Sequence, residues 1–143
     1  MTLVPGDPLA HRALDSLLRA EASVRRRLSA DIGREGLSAS GFSVLVVLTT
    51  AGGALELRAL RARLRTSKAN ATEVVTTLES RGYVTRARLP QDRRAASVTL
   101  TLRGREVVDR LFPEHSERVR SAFSVLDEEE KRHLAEICRK LAA

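Results

Sequence analysis

Two groups of residues carry the chemistry that this sequence can offer. In "RLPQDRRAASVTLT" (88–101), a proline-led tip gathers Arg88, Gln91, Asp92, Arg93 and Arg94. In "TSKANATEVVTT" (66–77), Thr66, Ser67, Lys68, Asn70, Glu73, Thr76 and Thr77 surround the apolar pair Val74 and Val75. A guanidinium is planar, permanently charged and weakly hydrated, which suits it to phosphate and to narrow electronegative grooves. Asparagine can bond adenine at two places, glutamate can accept from cytosine, and lysine can serve phosphate or guanine. Both groups therefore fit recognition of a polyanion rather than covalent chemistry. His11, His115 and His133 lack metal-ligand spacing, either with one another or with Cys138. The chain has no nucleophile–base arrangement, no paired general acid and base and no Gly-rich phosphate loop. It reads as a non-enzyme, with no metal and no cofactor.

Charge points to the same partner. The net charge is +7, but residues 57 to 105 hold twelve Lys or Arg against only Glu73, Glu79 and Asp92. That block stands at +9 and the rest of the chain at −2. Such segregation raises the local potential and releases counterions when phosphates bind, which favours nucleic acid over a merely solvated basic face or an anionic membrane. With 143 residues, 43% of them hydrophobic and 30% charged, the chain fits one globular domain, 1–143. Aromatics are 3%, so Leu, Val and Ala must build the core. The longest apolar run, "VLVVL" (44–48), is too short to cross a bilayer, and "MTLVPGDPLA" lacks the pattern of a signal peptide. A single cysteine fits a reducing compartment. The expectation is a soluble, cytoplasmic protein with no membrane partner.

The positioning elements follow from spacing. From Pro8 to about Ile32, Leu14, Leu17, Leu18, Val24 and Leu28 recur at helical intervals, and Gly33 and Gly36 should end that helix. "LSASGFSVLVVLTTAGG" offers Ser38 or Ser40 as N-cap and Gly52-Gly53 as a stop. Its β-branched run fits a buried strand or a buried helix by period alone, and the cap and stop favour helix. Leu57, Leu60 and Leu64 predict a short helix over 55–65. A second helix should begin at the N-cap Ser67, face Val74, Val75 and Leu78 inward and close at Gly82. With a tight turn at Arg65-Thr66 the pair forms a helix-turn-helix. "YVTRARL" and "ASVTLTL" then predict a β-hairpin joined through a loop "PQDRRA", with Val98 and Leu100 inward. Helical spacing resumes through Val107, Leu111, Val119, Phe123 and Leu126, and Pro113 should kink or split that helix. The last helix has Asp127 and Glu130 in capping-box positions and an apolar stripe of Leu134, Ile137, Cys138 and Leu141.

Together these pieces make a winged helix: mainly α, with a small β-hairpin wing and long terminal helices. Helix stripes left over at both ends are most simply buried against a second copy. The second helix of such a motif fits the major groove, and the hairpin reaches the neighbouring minor groove, with Asp92 anchoring an arginine fork. The stretch "LESRGYVTRARLPQDRRAASVTLTLRG" resembles the signature of the MarR family of bacterial transcription regulators. The matching residues are Leu78-Glu79, Gly82-Tyr83-Val84, Arg86, Asp92, Arg94, Leu100-Thr101 and Gly104. "RLRTSKANATEVVTTLE" is similar to the family's recognition helix and "LSASGFSVLVVLTTAGG" to the helix before it, which places a helix at 44–48.

The resemblance implies a homodimer whose subunits each offer a winged helix (about 37–105) to a palindromic operator on double-stranded DNA. Terminal helices (about 8–32 and 106–143) would serve dimerisation. It implies a repressor that lets go when a small-molecule effector acts, with Arg94 entering the minor groove beside its partner Asp92 and Ser67, Lys68, Asn70 and Glu73 facing bases. A winged-helix protein-interaction module without operator binding is the alternative. It is motivated by Arg61, where the family usually has alanine, and Arg65, where a turn glycine is common. Gly41 weakens its helix. Cys138 lies on an apolar stripe, so buried packing is expected for it rather than a redox role. The effector-binding residues are not read from the sequence; Phe42, Tyr83, Phe112 and Phe123 are the aromatic side chains that could stack on one.

Overall fold

The computed structural model describes residues 2–64 and 66–143, and the side chains of Ala30, Asp31 and Arg34 lie outside that description. Among the described residues the elements follow in the order α1 (Pro8–Arg34), α2 (Ala39–Thr50), β1 (Ala54–Glu56), α3 (Leu57–Leu64), α4 (Lys68–Ser80), β2 (Val84–Leu89), β3 (Asp92–Leu100), α5 (Leu102–Ala122) and α6 (Glu128–Ala142). They divide into two compact units. One is Asp31–Glu114; the other joins the chain up to Ala30 with the chain from His115 onward.

The Asp31–Glu114 unit holds the core. α2 is apolar nearly all round, which makes it a central helix rather than a surface one. Its Phe42, Val44, Leu45 and Leu48 are buried beside Leu60 of α3, Val75 and Leu78 of α4, Val84 and Val98 of the sheet, and Val107 and Leu111 of α5. Ser38 caps α2, its Oγ accepting from the Gly41 N–H at 3.0 Å, while Ser40 lies inside the helix. Gly41 is there for space. A Cβ on it would stand 3.3 Å from both Leu78 Cδ2 and Ser38 Oγ, so the helix-propensity cost of glycine is set against a close passage of α2 over α4.

α4 ends on a Schellman motif. Gly82 takes φ +80°, its N–H reaches the Glu79 carbonyl at 3.0 Å, and the Tyr83 N–H reaches the Leu78 carbonyl at 3.0 Å. The chain leaves that turn directly into β2. Three strands form an antiparallel sheet in the order β1-β3-β2. The expected hairpin is present, with Val98 and Leu100 buried as predicted, but the third strand was not anticipated. Three residues, Ala54–Glu56, are too short to show alternation, and they become a strand only by pairing with Thr99, Val98 and Ser97.

Other expectations are corrected. Gly33 does not end α1; the helix runs to Arg34 and turns at Gly36, where φ is +73°. Pro113 does not split α5. It removes one N–H from the ladder, and the neighbouring rungs keep one helix from Leu102 to Ala122. Phe123 and Leu126 fall in the turn after α5, whose N–H groups reach back to Val119 and Phe123. Arg65, half of the predicted tight turn, lies outside the described residues, and Thr66 donates its N–H to Arg61 O at 3.4 Å.

In the second unit, α6 opens on the predicted capping box. Asp127 Oδ1 accepts from the Glu130 N–H at 2.8 Å and Glu130 Oε1 from the Asp127 N–H at 3.4 Å. The Glu130 backbone N–H holds the Asp127 carboxyl below its usual range. No residue of α6 is buried, and Cys138 is exposed, against the expectation of buried packing. The stripe exists, with Ile137 at 62% and Leu141 at 68% exposure, and among the described residues nothing covers it.

Two glycines test this reading in opposite directions. A Cβ on Gly104 would overlap the Tyr83 carbonyl oxygen and stand 2.8 Å from Leu100 Cδ1. Gly104→Ala should therefore lower stability by about 1–3 kcal/mol through overpacking. Nothing lies within 4 Å of a Cβ on the helical Gly33. Gly33→Ala should raise stability by about 0.5–1 kcal/mol. Urea denaturation of both variants checks the pair.

Candidate nucleic-acid interface

The start of α4 is built to present side chains. Ser67 adopts an extended backbone, and its Oγ accepts from the Asn70 N–H at 3.1 Å, closing the first turn. Thr66, half-buried, accepts from Asn70 Nδ2 at 2.6 Å, so the amide of Asn70 is held rather than left to rotate. Ala71, Val75 and Leu78 bury the opposite face. Ser67, Lys68, Asn70, Glu73, Thr76 and Thr77 are all exposed, as the helical spacing requires. Thr77 turns its hydroxyl onto the Glu73 carbonyl at 3.1 Å.

The tip of the hairpin is tighter than expected. Pro90 and Gln91 alone form the turn, and strand structure resumes at Asp92. Arg88 pairs with Ala96 but Leu89 pairs with Asp92, so Arg93, Arg94 and Ala95 are extra residues on β3. This is a bulge, which bends a strand and re-aims its side chains. Arg88, Gln91, Asp92, Arg93 and Arg94 are exposed. Asp92 does not grip a guanidinium. Its Oδ1 accepts the backbone N–H of Arg94 at 2.9 Å, and among the described residues no ion pair joins it to an arginine. The anchor acts on the backbone, fixing where the Arg94 side chain departs.

Other residues tie the hairpin to α4. Glu79 Oε2 accepts the Arg86 N–H at 3.1 Å, and Glu79 Oε1 lies 3.4 Å from Arg86 Nη2. Thr101 Oγ1 donates to the Gly82 carbonyl at 2.6 Å and accepts the Gly104 N–H at 3.1 Å. The roles of Glu79, Arg86 and Thr101 escaped the reading of the sequence except as letters of a pattern. Arg58 and Arg61 escaped it as surface residues. They stand three apart on α3 and line a groove with Lys68 and Arg94. Their spacing and the predicted helix were enough to put them on one face.

The chain is similar to known proteins in sequence and in fold. The family model described as "MarR family" matches residues 37–96. The Bacillus subtilis (strain 168) protein named uncharacterized HTH-type transcriptional regulator YkoM is 33% identical over 122 residues, which is 85% of this chain and 79% of that one. The chain belongs to the MarR family of transcriptional regulators. Among solved structures, Sco3205 of Streptomyces coelicolor, a MarR family transcriptional regulator in complex with DNA, is similar with a TM-score of 0.84. It is 28% identical, and the match covers 99% of this chain and 89% of that one. BpsR of Bordetella bronchiseptica, described with the regulation of its DNA binding by 6-hydroxynicotinic acid, has a TM-score of 0.80 at 26% identity. That match covers 92% of this chain and 99% of BpsR. The matched residues take in the part of the signature that runs from Leu78 to Arg94. Among the described residues there is no helix long and apolar enough to cross a membrane and no cluster of potential metal ligands.

The Ser67 cap closes the first turn of α4. Ser67→Ala should cost about 1 kcal/mol of stability. The Asn70 amide should exchange with solvent faster than in the parent, as measured by hydrogen exchange, while amides near Leu78 keep their protection.

Proposed function

We propose that the chain is a sequence-specific double-stranded-DNA-binding regulator that acts as a homodimer on a palindromic operator. On this reading it is a repressor, and binding of a small-molecule effector releases it. The observation that carries the proposal is the pairing of a capped, exposed α4 start with a bulged, arginine-bearing hairpin tip on one compact unit. Asn70 and Glu73 would meet base edges in the major groove, with Lys68 on phosphate or guanine and Ser67, Thr66, Thr76 and Thr77 completing that face. Arg94 would enter the adjacent minor groove, with Arg93, Arg88 and Gln91 on its walls and Asp92 holding the backbone.

The likeness to the DNA complex of Sco3205 supports the partner, and the ligand-controlled DNA binding of BpsR supports the regulation. The exposed apolar stripes of α1 (Leu14, Leu17, Leu18) and α6 (Leu134, Ile137, Leu141) support the homodimer. Two copies related by a twofold would present their α4 helices one duplex turn apart, roughly 34–36 Å. A dimer that occupies an operator blocks other proteins from it, which is the simplest route to repression.

Selection from a genomic fragment library at physiological salt should enrich a palindromic site; a library that stays flat would favour the protein-interaction reading. On the selected site Arg94→Ala should weaken binding by about tenfold or more, equivalent to roughly 1–3 kcal/mol. Unchanged affinity would remove Arg94 from the interface. Ile137→Asp should shift sedimentation from dimer to monomer and weaken operator binding with it.

A further inference from the structure

The groove between α3, the start of α4 and the bulged end of β3 has a volume of about 530 Å³. Four cations line it: Arg58 and Arg61 from α3, Lys68 from α4 and Arg94 from β3. Two acids share the wall, Glu56 and Asp92, and Asp92 is engaged with the Arg94 backbone. The excess is cationic, and it is drawn from three separate elements. We infer that this groove seats the sugar-phosphate strand of duplex DNA, with Arg58 and Arg61 as its phosphate contacts.

The inference rests on the DNA-binding reading above and adds a geometric necessity. A major groove and the minor groove next to it are separated by one phosphate backbone. A protein that places α4 in the first and the hairpin tip in the second must therefore let that backbone pass between them. The floor of that passage is α3. Leu60 turns into the core with no exposure and Leu57 and Leu64 pack partly against it, so Arg61, one residue past Leu60, flanks that stripe at its edge. Arg61 is half-buried and Arg58 exposed, so the stem of Arg61 packs while its head can stay at the groove. A guanidinium offers several donors to phosphate oxygens, and each neutralised phosphate releases counterions.

This turns the arginine at a position where the family usually has alanine into a gain of contact rather than a defect of the motif. It also assigns a role distinct from those of Asn70 and Arg94. Phosphate carries no sequence information, so Arg58 and Arg61 should set affinity and register without choosing bases.

The test is the salt dependence of binding to the selected operator duplex and to a mixed-sequence duplex of equal length. Arg61→Gln should lower the slope of log affinity against log salt by about 0.9 on both duplexes. It should leave their affinity ratio unchanged, and Arg61→Lys should restore the slope. Arg58→Gln with Arg61→Gln should lower it by roughly twice as much. Thermal unfolding of each variant excludes loss of folding as the cause. If the parent binds the operator but the slope survives Arg61→Gln, the inference is overturned. That holds equally if inorganic phosphate at constant ionic strength then competes with the duplex, because the groove would be a free-anion site. If the parent binds neither duplex, the DNA-binding reading fails first.

Discussion

The junction at Gly82 and Tyr83 is the constraint on which the Asp31–Glu114 unit depends. Three elements converge there within a few residues. α4 ends as Gly82 and Tyr83 return their N–H groups to its last turn, and β2 begins at Val84. Thr101, where β3 passes into α5, donates its hydroxyl to the Gly82 carbonyl and its backbone N–H to the Tyr83 carbonyl. Gly104 lets the first turn of α5 lie against that same Tyr83 carbonyl. Each bond is short in range, yet together they set the angle between a helix and a hairpin. Glu79 then reaches past the junction to the Arg86 backbone, so the hairpin cannot swing from α4 without breaking a charge-assisted bond. The spacing of α4 from the hairpin tip, on which any two-groove reading rests, is therefore decided at the end of both elements away from the tip.

Electrostatics explains why such a junction must be firm. The +9 block between 57 and 105 lies wholly within this unit. Among the described residues no charged or polar side chain is fully buried, so that charge is spread over the surface and repels itself. Folding this segment is opposed by its own field, and the core of α2, the sheet and α5 must outweigh it. A polyanion in the groove between α3 and the hairpin would relieve the same repulsion. On the proposed reading, binding and folding stability are then linked: what stabilises the complex is the field that the free protein carries at a cost.

How much of this was legible depended on the range of the interaction involved. Helices that cap themselves were readable, because Ser67 and Asn70, or Asp127 and Glu130, are three residues apart and each signal is local. The inward faces of α4 and β3 were readable from period alone. The features that escaped are those decided across the chain. β1 exists only because Val98 and its neighbours supply a partner strand. Gly41 looked like a weak point in α2 until Leu78 was found against it. Asp92 looked like a side-chain anchor because charge suggests charge, whereas a backbone N–H two residues away is nearer and costs less order to engage. Cys138 was expected to be covered because its neighbours are apolar, but among the described residues no element covers α6 and Cys138 is exposed. The pattern "LE..GYV.R", with Thr101 and Gly104 beyond it, was recognisable as letters; only the junction shows that each letter is a contact.

Arg61 draws these threads together. A pattern that usually places alanine inside a helix pair invites the conclusion that an arginine there must spoil the packing. α3 is only eight residues long; it buries Leu60 fully and packs Leu57 and Leu64 partly against the core, and position 61 lies at the edge of that inner face. An arginine at an edge can pack its stem against apolar neighbours and keep its charge in water, so it need not be driven into the core. The substitution is then tolerated for one reason and useful for another. It is tolerated because position 61 flanks the stripe of Leu57, Leu60 and Leu64 and leaves the arginine half-buried rather than enclosed. On the proposed reading it is useful because the outside it reaches is the groove also lined by Arg58, Lys68 and Arg94. A departure from a family pattern is thus better judged by where the side chain emerges than by the residue it replaces.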